Sequence, residues 1–138
     1  MPAVLIDAGP LTALLNPKEE QHVWALASLQ KLEKPLLTSE AVLAETAHLI
    51  VHHGGDPDGL FHLRARGLIA VGIRFDEEWE SLRGLMARYR NVPMSLADAT
   101  LVRLSELHRD CRVVTLDSDF RIYRRHGNKA IPLLMPEE

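Results

Sequence analysis

Residues 4–11 read VLIDAGPL, and this stretch sets the pattern for the rest of the chain. Val4–Ile6 is a short apolar run without alternation, which is typical of a strand buried on both faces of a sheet. Gly9 and Pro10 then favour a turn and a helix start, because proline in a first turn needs no backbone N–H. Asp7 stands at the junction. A carboxylate that closes a buried strand is costly unless it is paired or metal-bound, so Asp7 is a candidate functional residue.

Short apolar runs and helical patterns alternate to the end of the chain. We predict strands at Val4–Ile6, Leu36–Leu37, Leu68–Val71, Arg112–Leu116 and Ile131–Leu134. We predict helices at Pro10–Leu15, Glu19–Leu32, Glu40–Val51, Asp58–Arg66, Glu77–Tyr89 and Leu96–His108. Helices that connect continuously apolar strands indicate a parallel sheet covered on both faces. The sequence therefore predicts an α/β fold, a three-layer α/β/α sandwich around a five-stranded parallel sheet.

Two of the helix starts carry local capping signals. Asp76 is predicted to cap the helix over Glu77–Tyr89, because its carboxylate can accept from a free first-turn N–H. Ser95 and Asp98 have the spacing of a capping box, in which each side chain bonds the other residue's backbone N–H. An acid at a helix start therefore has a structural explanation before it has a chemical one.

Length and composition indicate one globular domain spanning residues 1–138, with 46% hydrophobic and 25% charged residues. The formal net charge is −3, so any contact with nucleic acid must be local. The single cysteine, Cys111, permits no internal disulfide. No apolar run is long enough to span a bilayer, and the first residues lack the basic start of a signal peptide. We therefore predict a cytoplasmic protein without membrane association.

Four acidic residues stand where an apolar run gives way to a turn or a helix. They are Asp7, Glu45, Asp98 and Asp117, with Asp119 as a secondary candidate two residues further on. Sites in open parallel sheets form outside the carboxyl ends of the strands, which is where the first and fourth predicted strands meet Asp7 and Asp117. Each acid alone could be a cap or a solvated side chain. Their convergence on one edge predicts one divided carboxylate site.

Carboxylates and water are the ligands that hard divalent cations prefer, so the predicted cofactor is Mg²⁺ or Mn²⁺. Such an ion polarises a phosphoryl oxygen and activates water, which makes hydrolysis of a phosphodiester the predicted chemistry. Arg121, Arg124 and Arg125 follow Asp117 closely and are predicted to contact substrate phosphates, because guanidinium groups are planar phosphate partners. A solvated face of charged residues is the alternative for these three.

Three other interpretations of the sequence stay open at this point. Glu45, His48 and His52 lie at helical spacings that would suit zinc, although the His-Glu-x-x-His order of zinc proteases is missing. A phosphoacceptor receiver domain would also have five parallel strands with acids at their ends, but it wants adjacent acids after the first strand and an Asp at the end of the third, where Arg74 and Phe75 follow instead. A non-catalytic interaction domain is the third interpretation.

Four segments carry a resemblance that covers nearly the whole chain. They are residues 4–11 (VLIDAGPL), 42–45 (VLAE), 95–99 (SLADA) and 113–120 (VVTLDSDF). In this order and spacing the chain resembles the PIN-domain family, particularly the VapC-like toxins of type II toxin–antitoxin pairs. The resemblance implies a metal-dependent endoribonuclease in which Asp7, Glu45, Asp98 and Asp117 are ligands and Asp119 assists. A PIN-domain nuclease that processes RNA without an antitoxin is the alternative.

The resemblance also implies partners and one departure from the family pattern. The implied partners are an RNA substrate, a VapB-like antitoxin and a second copy of the chain in a homodimer. Many relatives carry Ser or Thr directly after the first acid, but this chain has Ala8, so Thr12 or Thr115 is expected to hold Asp7 instead. Trp24 and Phe61 are candidates for an interface, although the hydrophobic core is the more ordinary place for both.

Overall fold

The computed structural model describes residues 2–137, within which five parallel strands form a central sheet. The strands of the chain are β1 (Ala3–Ile6), β2 (Leu36–Thr38), β3 (Ile69–Val71), β4 (Cys111–Val114), β5 (Arg124–Arg125), β6 (Lys129–Ala130) and β7 (Leu133–Leu134). Their order in the sheet is β3-β2-β1-β4-β7, and β5 pairs with β6 in a separate antiparallel hairpin. Met1 and Glu138, the ends of the predicted domain, lie outside the described residues.

Helices flank the sheet and connect its strands, which confirms the predicted α/β fold. They are α1 (Ala8–Leu15), α2 (His22–Gln30), α3 (Glu40–His52), α4 (Asp58–Ala65), α5 (Phe75–Arg88) and α6 (Leu96–Leu107). The central strands are largely buried, with Leu5, Ile6, Val113 and Val114 fully inaccessible to solvent. No helix within residues 2–137 combines the length and the apolarity needed to cross a membrane.

Several predicted boundaries are wrong in informative ways. The helix predicted from Glu19 begins at His22, and the strand predicted from Ile131 is the short β7. Asp76 is not a cap, because α5 begins one residue before it. The acid lies inside the first turn, where a negative charge suits the positive end of the helix dipole.

The β5–β6 hairpin was not predicted, since two-residue strands around Gly127 (φ +85°) are too short to leave a hydrophobic pattern.

The two candidate interface residues differ in their burial. Trp24 is half-buried and packs against the core. The side chain of Phe61 is 71% exposed, so the expectation of a core position is wrong for it. Phe61 lies on α4, a short helix that buries Leu60 but turns its next position toward solvent.

Buried hydroxyl groups join the elements whose starts and ends meet at the carboxyl edge of the sheet. Thr38, at the end of β2, donates through Oγ1 to the carbonyl oxygen of Ile6 at 2.9 Å. Ser39 caps α3 by accepting from Val42 N–H at 3.1 Å. Its Oγ also lies 2.7 Å from Oγ1 of Thr100 in the first turns of α6. The start of α6 is therefore fixed at the same edge as the start of α3.

Candidate active site

Asp7 follows β1 directly and continues its pairing with β4, since its N–H donates to the carbonyl of Val114 at 3.0 Å. Its carboxylate caps α1, with Oδ1 accepting from Ala8 N–H at 2.8 Å. Oδ2 accepts from the hydroxyl of Thr115 at 2.7 Å. Only 6% of the residue is exposed. The buried carboxylate expected at the end of the first strand is thus present and fully supported by donors.

Burial raises the pKa of Asp7 from its ordinary value to about 6. The hydrogen bonds from Thr115 and Ala8 favour the ionised form and oppose the shift, whereas the negative charges of Asp98 and Glu45 add to it. Asp7 therefore sits in the electrostatic field of two other predicted acids, although they come from different elements of the chain.

Thr115 takes the place of the Ser or Thr that the chain lacks at position 8. Its Oγ1 donates to Asp7 and accepts from Asp117 N–H at 3.0 Å, so one hydroxyl group joins two of the acids. Thr12, the other residue expected to supply this support, is buried, and its hydroxyl finds no partner in the described part of the chain. The expectation is therefore met by Thr115 and not by Thr12.

Asp117 caps the 3₁₀ turn Ser118–Arg121 by accepting from Asp119 N–H through Oδ1 at 2.9 Å. This bond confirms the structural explanation for the acid, but it uses one of its two carboxylate oxygens. A capping role does not exclude a ligand role for Asp117, because a carboxylate has two oxygens that can each accept more than one partner.

Asp98 lies in the first turn of α6 and is buried. The predicted capping box is present, with Asp98 N–H donating to Ser95 Oγ at 3.0 Å and Ser95 N–H approaching Asp98 Oδ2 at 3.5 Å. A second donor, the hydroxyl of Tyr123, lies 2.8 Å from the same Oδ2. Burial raises the pKa of Asp98; the Tyr123 bond opposes the shift, and the charge of Asp117 adds to it.

Glu45 lies on the exposed part of α3, one and a half turns from its start. Partial burial raises its pKa, and the charges of Asp98 and Asp117 raise it further. Each of the four predicted acids thus interacts electrostatically with at least one other. The fold brings Asp7, Glu45, Asp98 and Asp117 into one field at the carboxyl edge of the sheet.

The electrostatic interaction of the four acids does not by itself make a metal-binding site. Across the described residues, no three Asp, Glu, His or Cys side chains converge tightly enough to hold an ion as they stand. Like charges repel when no cation lies between them, and protein donors already hold Asp7 and one oxygen of Asp98. The donor set nonetheless fits Mg²⁺ or Mn²⁺, because it consists of carboxylate oxygens.

The zinc interpretation gains nothing from the geometry. The rings of His48 and His52 stack with centroids 6.1 Å apart, and they form no three-ligand group with Glu45 within residues 2–137. His52 is the last residue of α3, where a cationic side chain suits the negative end of the helix dipole.

Arg125 lies away from the predicted acids. Its guanidinium donates to the carbonyl oxygens of Ser105 at 2.8 Å and Arg109 at 3.2 Å, and it contacts Cys111 Sγ at 3.3 Å. Cys111 begins β4, whereas Asp117 follows the other end of that strand. Arg125 therefore fastens the β5–β6 hairpin to the end of α6.

The other two predicted phosphate contacts are closer in sequence to the acids. Arg124 donates through Nη1 to the carbonyl oxygens of Arg121 at 2.8 Å and Tyr123 at 3.1 Å. Arg121 is exposed on the 3₁₀ turn that Asp117 caps. Of the three, Arg121 is thus in the element nearest to a candidate ligand.

Tyr123 was not among the predicted site residues. It is fully buried, and burial, followed by the hydrogen bond to Asp98, raises its pKa, so the phenol keeps its proton and acts as a donor. The sequence offers one faint signal, the aromatic pair Phe120 and Tyr123 three residues apart after Asp117. That spacing suggests packing, but it does not reveal that the hydroxyl reaches a carboxylate on α6.

Acidic groups gathered outside the carboxyl ends of a parallel sheet define a class of α/β proteins suited to binding a divalent cation. The PIN domain family matches residues 4–125, and the chain belongs to that family. PIN domains are generally nucleases, which agrees with an acidic site of this kind. Comparison with curated proteins gave no match for the chain.

The raised pKa of Asp7 predicts how pH changes the stability of the metal-free protein. The folded state holds the Asp7 proton more tightly than the unfolded state, so this contribution is complete below pH 3.8 and is lost as pH rises through about 6. A shift of this size corresponds to about 3 kcal/mol. We expect the free energy of unfolding, measured with urea in a chelating buffer, to fall over that range.

The matched control for this prediction is Asp7→Asn, which has no proton to lose. Its unfolding free energy should fall less steeply between about pH 4 and pH 7 than that of the wild type. Parallel curves for the two proteins would show that Asp7 ionises in the folded state as it does in the unfolded chain.

Proposed function

We propose that this protein is a metal-dependent endoribonuclease that hydrolyses RNA phosphodiester bonds. Membership of the PIN family supports nuclease chemistry. The observation that carries the proposal furthest is the mutual electrostatic interaction of Asp7, Glu45, Asp98 and Asp117 at one edge of the sheet. Carboxylates that raise one another's pKa are costly to keep ionised without a cation, so their arrangement favours a site for one.

In this proposal Mg²⁺ or Mn²⁺ is held chiefly by Asp7 and Asp98, with Asp117 and Glu45 contributing directly or through water. Asp119 assists, since its backbone N–H orients the carboxylate of Asp117. The bound ion supplies a Lewis acid that activates water and stabilises the negative charge that develops on the phosphate. Support for this assignment comes from the chemistry of these side chains, which offer carboxylate oxygens, and from the effect of their charges on one another's pKa.

The chain's own groups would prepare the site before substrate arrives. Thr115 and Ala8 N–H fix both oxygens of Asp7, so little orientational freedom remains to be lost when a ligand binds. Arg121 and Arg124 are the proposed contacts for RNA phosphates. Arg125 was predicted with them, but its bonds to carbonyl oxygens near the amino end of β4 make it the weakest of the three candidates.

We further propose that the chain is a VapC-like toxin, a single cytoplasmic domain over residues 1–138 that forms a homodimer and is neutralised by a VapB-like antitoxin. The support is the set of sequence segments that resemble such toxins, within a chain that belongs to the PIN family. An acidic groove would suit an antitoxin segment that carries an arginine. The exposed Phe61 offers apolar surface for a protein partner.

Replacing candidate ligands tests the nuclease directly. Asp7→Asn and Asp98→Asn should each lower RNA cleavage in Mg²⁺ by about a hundredfold or more, because each removes a charge that would face the ion. The measurement is the initial rate on a labelled single-stranded RNA, with melting temperatures recorded alongside.

Asp58→Asn is the matched control for both changes. Asp58 is an exposed acid that pairs with His62 on α4, and its loss should leave the rate unchanged. Wild-type rates in well-folded Asp7→Asn and Asp98→Asn proteins would remove these residues from the mechanism.

The toxin assignment has its own test in growing cells. Expression of the wild-type chain should arrest growth, whereas Asp98→Asn expressed at the same level should not, because arrest would depend on RNA cleavage. Co-expression of a small DNA-binding protein encoded just upstream should restore growth. Normal growth with the active wild-type enzyme would favour an RNA-processing nuclease without an antitoxin.

A further inference from the structure

Tyr123 follows Asp98 by 25 residues in the sequence. Its hydroxyl oxygen lies 2.8 Å from Asp98 Oδ2. We propose that Tyr123 is a positioning residue that fixes the carboxylate of Asp98 in the orientation that a divalent cation would meet. This inference rests on the proposed function, because it concerns the same site. It adds Tyr123, which is neither one of the four predicted acids nor one of the groups that donate to Asp7.

Two donors of unequal strength hold Oδ2 of Asp98. Oδ2 accepts from Tyr123 at 2.8 Å and from Ser95 N–H at 3.5 Å, which is long for a hydrogen bond. The capping box alone therefore holds the carboxylate loosely, and the short bond from the phenol is the stronger constraint on its rotation.

Tyr123 is itself held rigidly, as a positioning residue must be. Its ring packs edge to face against Phe120, with centroids 5.2 Å apart at 85°, and against Tyr89, with centroids 5.1 Å apart at 68°. All three residues are buried. Aromatic rings in this arrangement gain from their quadrupoles and have few torsions to restrain, so the hydroxyl is aimed by packing.

A buried tyrosine also needs an acceptor for structural reasons alone, and that simpler role must be separated from positioning. Tyr89 provides the comparison. Its hydroxyl belongs to the same aromatic cluster and accepts from Arg124 N–H at 2.9 Å. Removing either hydroxyl deletes one hydrogen bond at the edge of this cluster, but only the Tyr123 change alters the support of Asp98.

The experiment compares Tyr123→Phe with Tyr89→Phe and the wild type. Mn²⁺ affinity, measured at pH 8 by electron paramagnetic resonance, should weaken by about tenfold in Tyr123→Phe, as is usual when the support of a metal ligand is lost. The kcat for RNA should fall with it at fixed Mn²⁺, while KM for RNA stays unchanged. Tyr89→Phe should bind Mn²⁺ as the wild type does, even if its melting temperature falls equally.

A rescue experiment distinguishes the loss of the hydrogen-bond donor from a general packing defect. Incorporation of 4-aminophenylalanine at position 123 restores a donor of similar reach and should recover most of the lost Mn²⁺ affinity. Wild-type Mn²⁺ affinity in Tyr123→Phe, an equal loss in Tyr89→Phe, or no recovery with the amino analogue would each overturn the inference.

Structures of the metal-free variants separate this inference from the proposed function. The carboxylate of Asp98 should rotate or take several orientations in Tyr123→Phe and keep its wild-type orientation in Tyr89→Phe. An unchanged Asp98 in Tyr123→Phe would overturn the positioning role whatever the activity. A wild-type protein that neither binds Mn²⁺ nor cleaves RNA would overturn the proposed function instead, and the orientation of Asp98 would still decide the role of Tyr123.

Discussion

One hydroxyl group, that of Thr115, joins the two central strands at the edge where the acids meet. It donates to the carboxylate that follows β1 and accepts from the backbone N–H of Asp117, beyond the end of β4. The pairing of Ile6 with Val114 places the carboxyl ends of β1 and β4 side by side. The hydroxyl of Thr115 and the register of β1 with β4 therefore set the position of Asp117 relative to Asp7.

Burial and charge act against each other at this edge. Burial raises the pKa of Asp7, Asp98 and Glu45, and the negative neighbours raise these values further. Hydrogen bonds from Thr115, Tyr123 and backbone N–H groups offset part of that cost without neutralising the charge. The site is thus locally destabilising at neutral pH, a common property of sites that are completed by a ligand. Its present geometry, short of a closed three-ligand group, agrees with carboxylates that repel one another.

The parallel sheet and the acid at the end of its first strand were predictable because both depend on local patterns: buried strands are continuously apolar, and their carboxyl ends share an edge. The Ser95–Asp98 capping box was predictable for the same reason. The bond from Tyr123 to Asp98 was not, since 25 residues separate the partners and no sequence period links them. The bonds of Arg125 to carbonyl oxygens at the end of α6 could not be predicted either, because a cluster of arginines does not reveal which of them makes such contacts.

The central claim is that these acids form one coupled site for a divalent cation, and proton release on Mn²⁺ binding tests it most directly. Calorimetry at pH 6 in two buffers of different ionisation enthalpy counts the protons displaced. With the pKa of Asp7 raised to about 6, binding should release about half a proton or more at pH 6 and much less at pH 8. Binding without proton release at pH 6, or no binding of Mn²⁺ at all, would contradict the account.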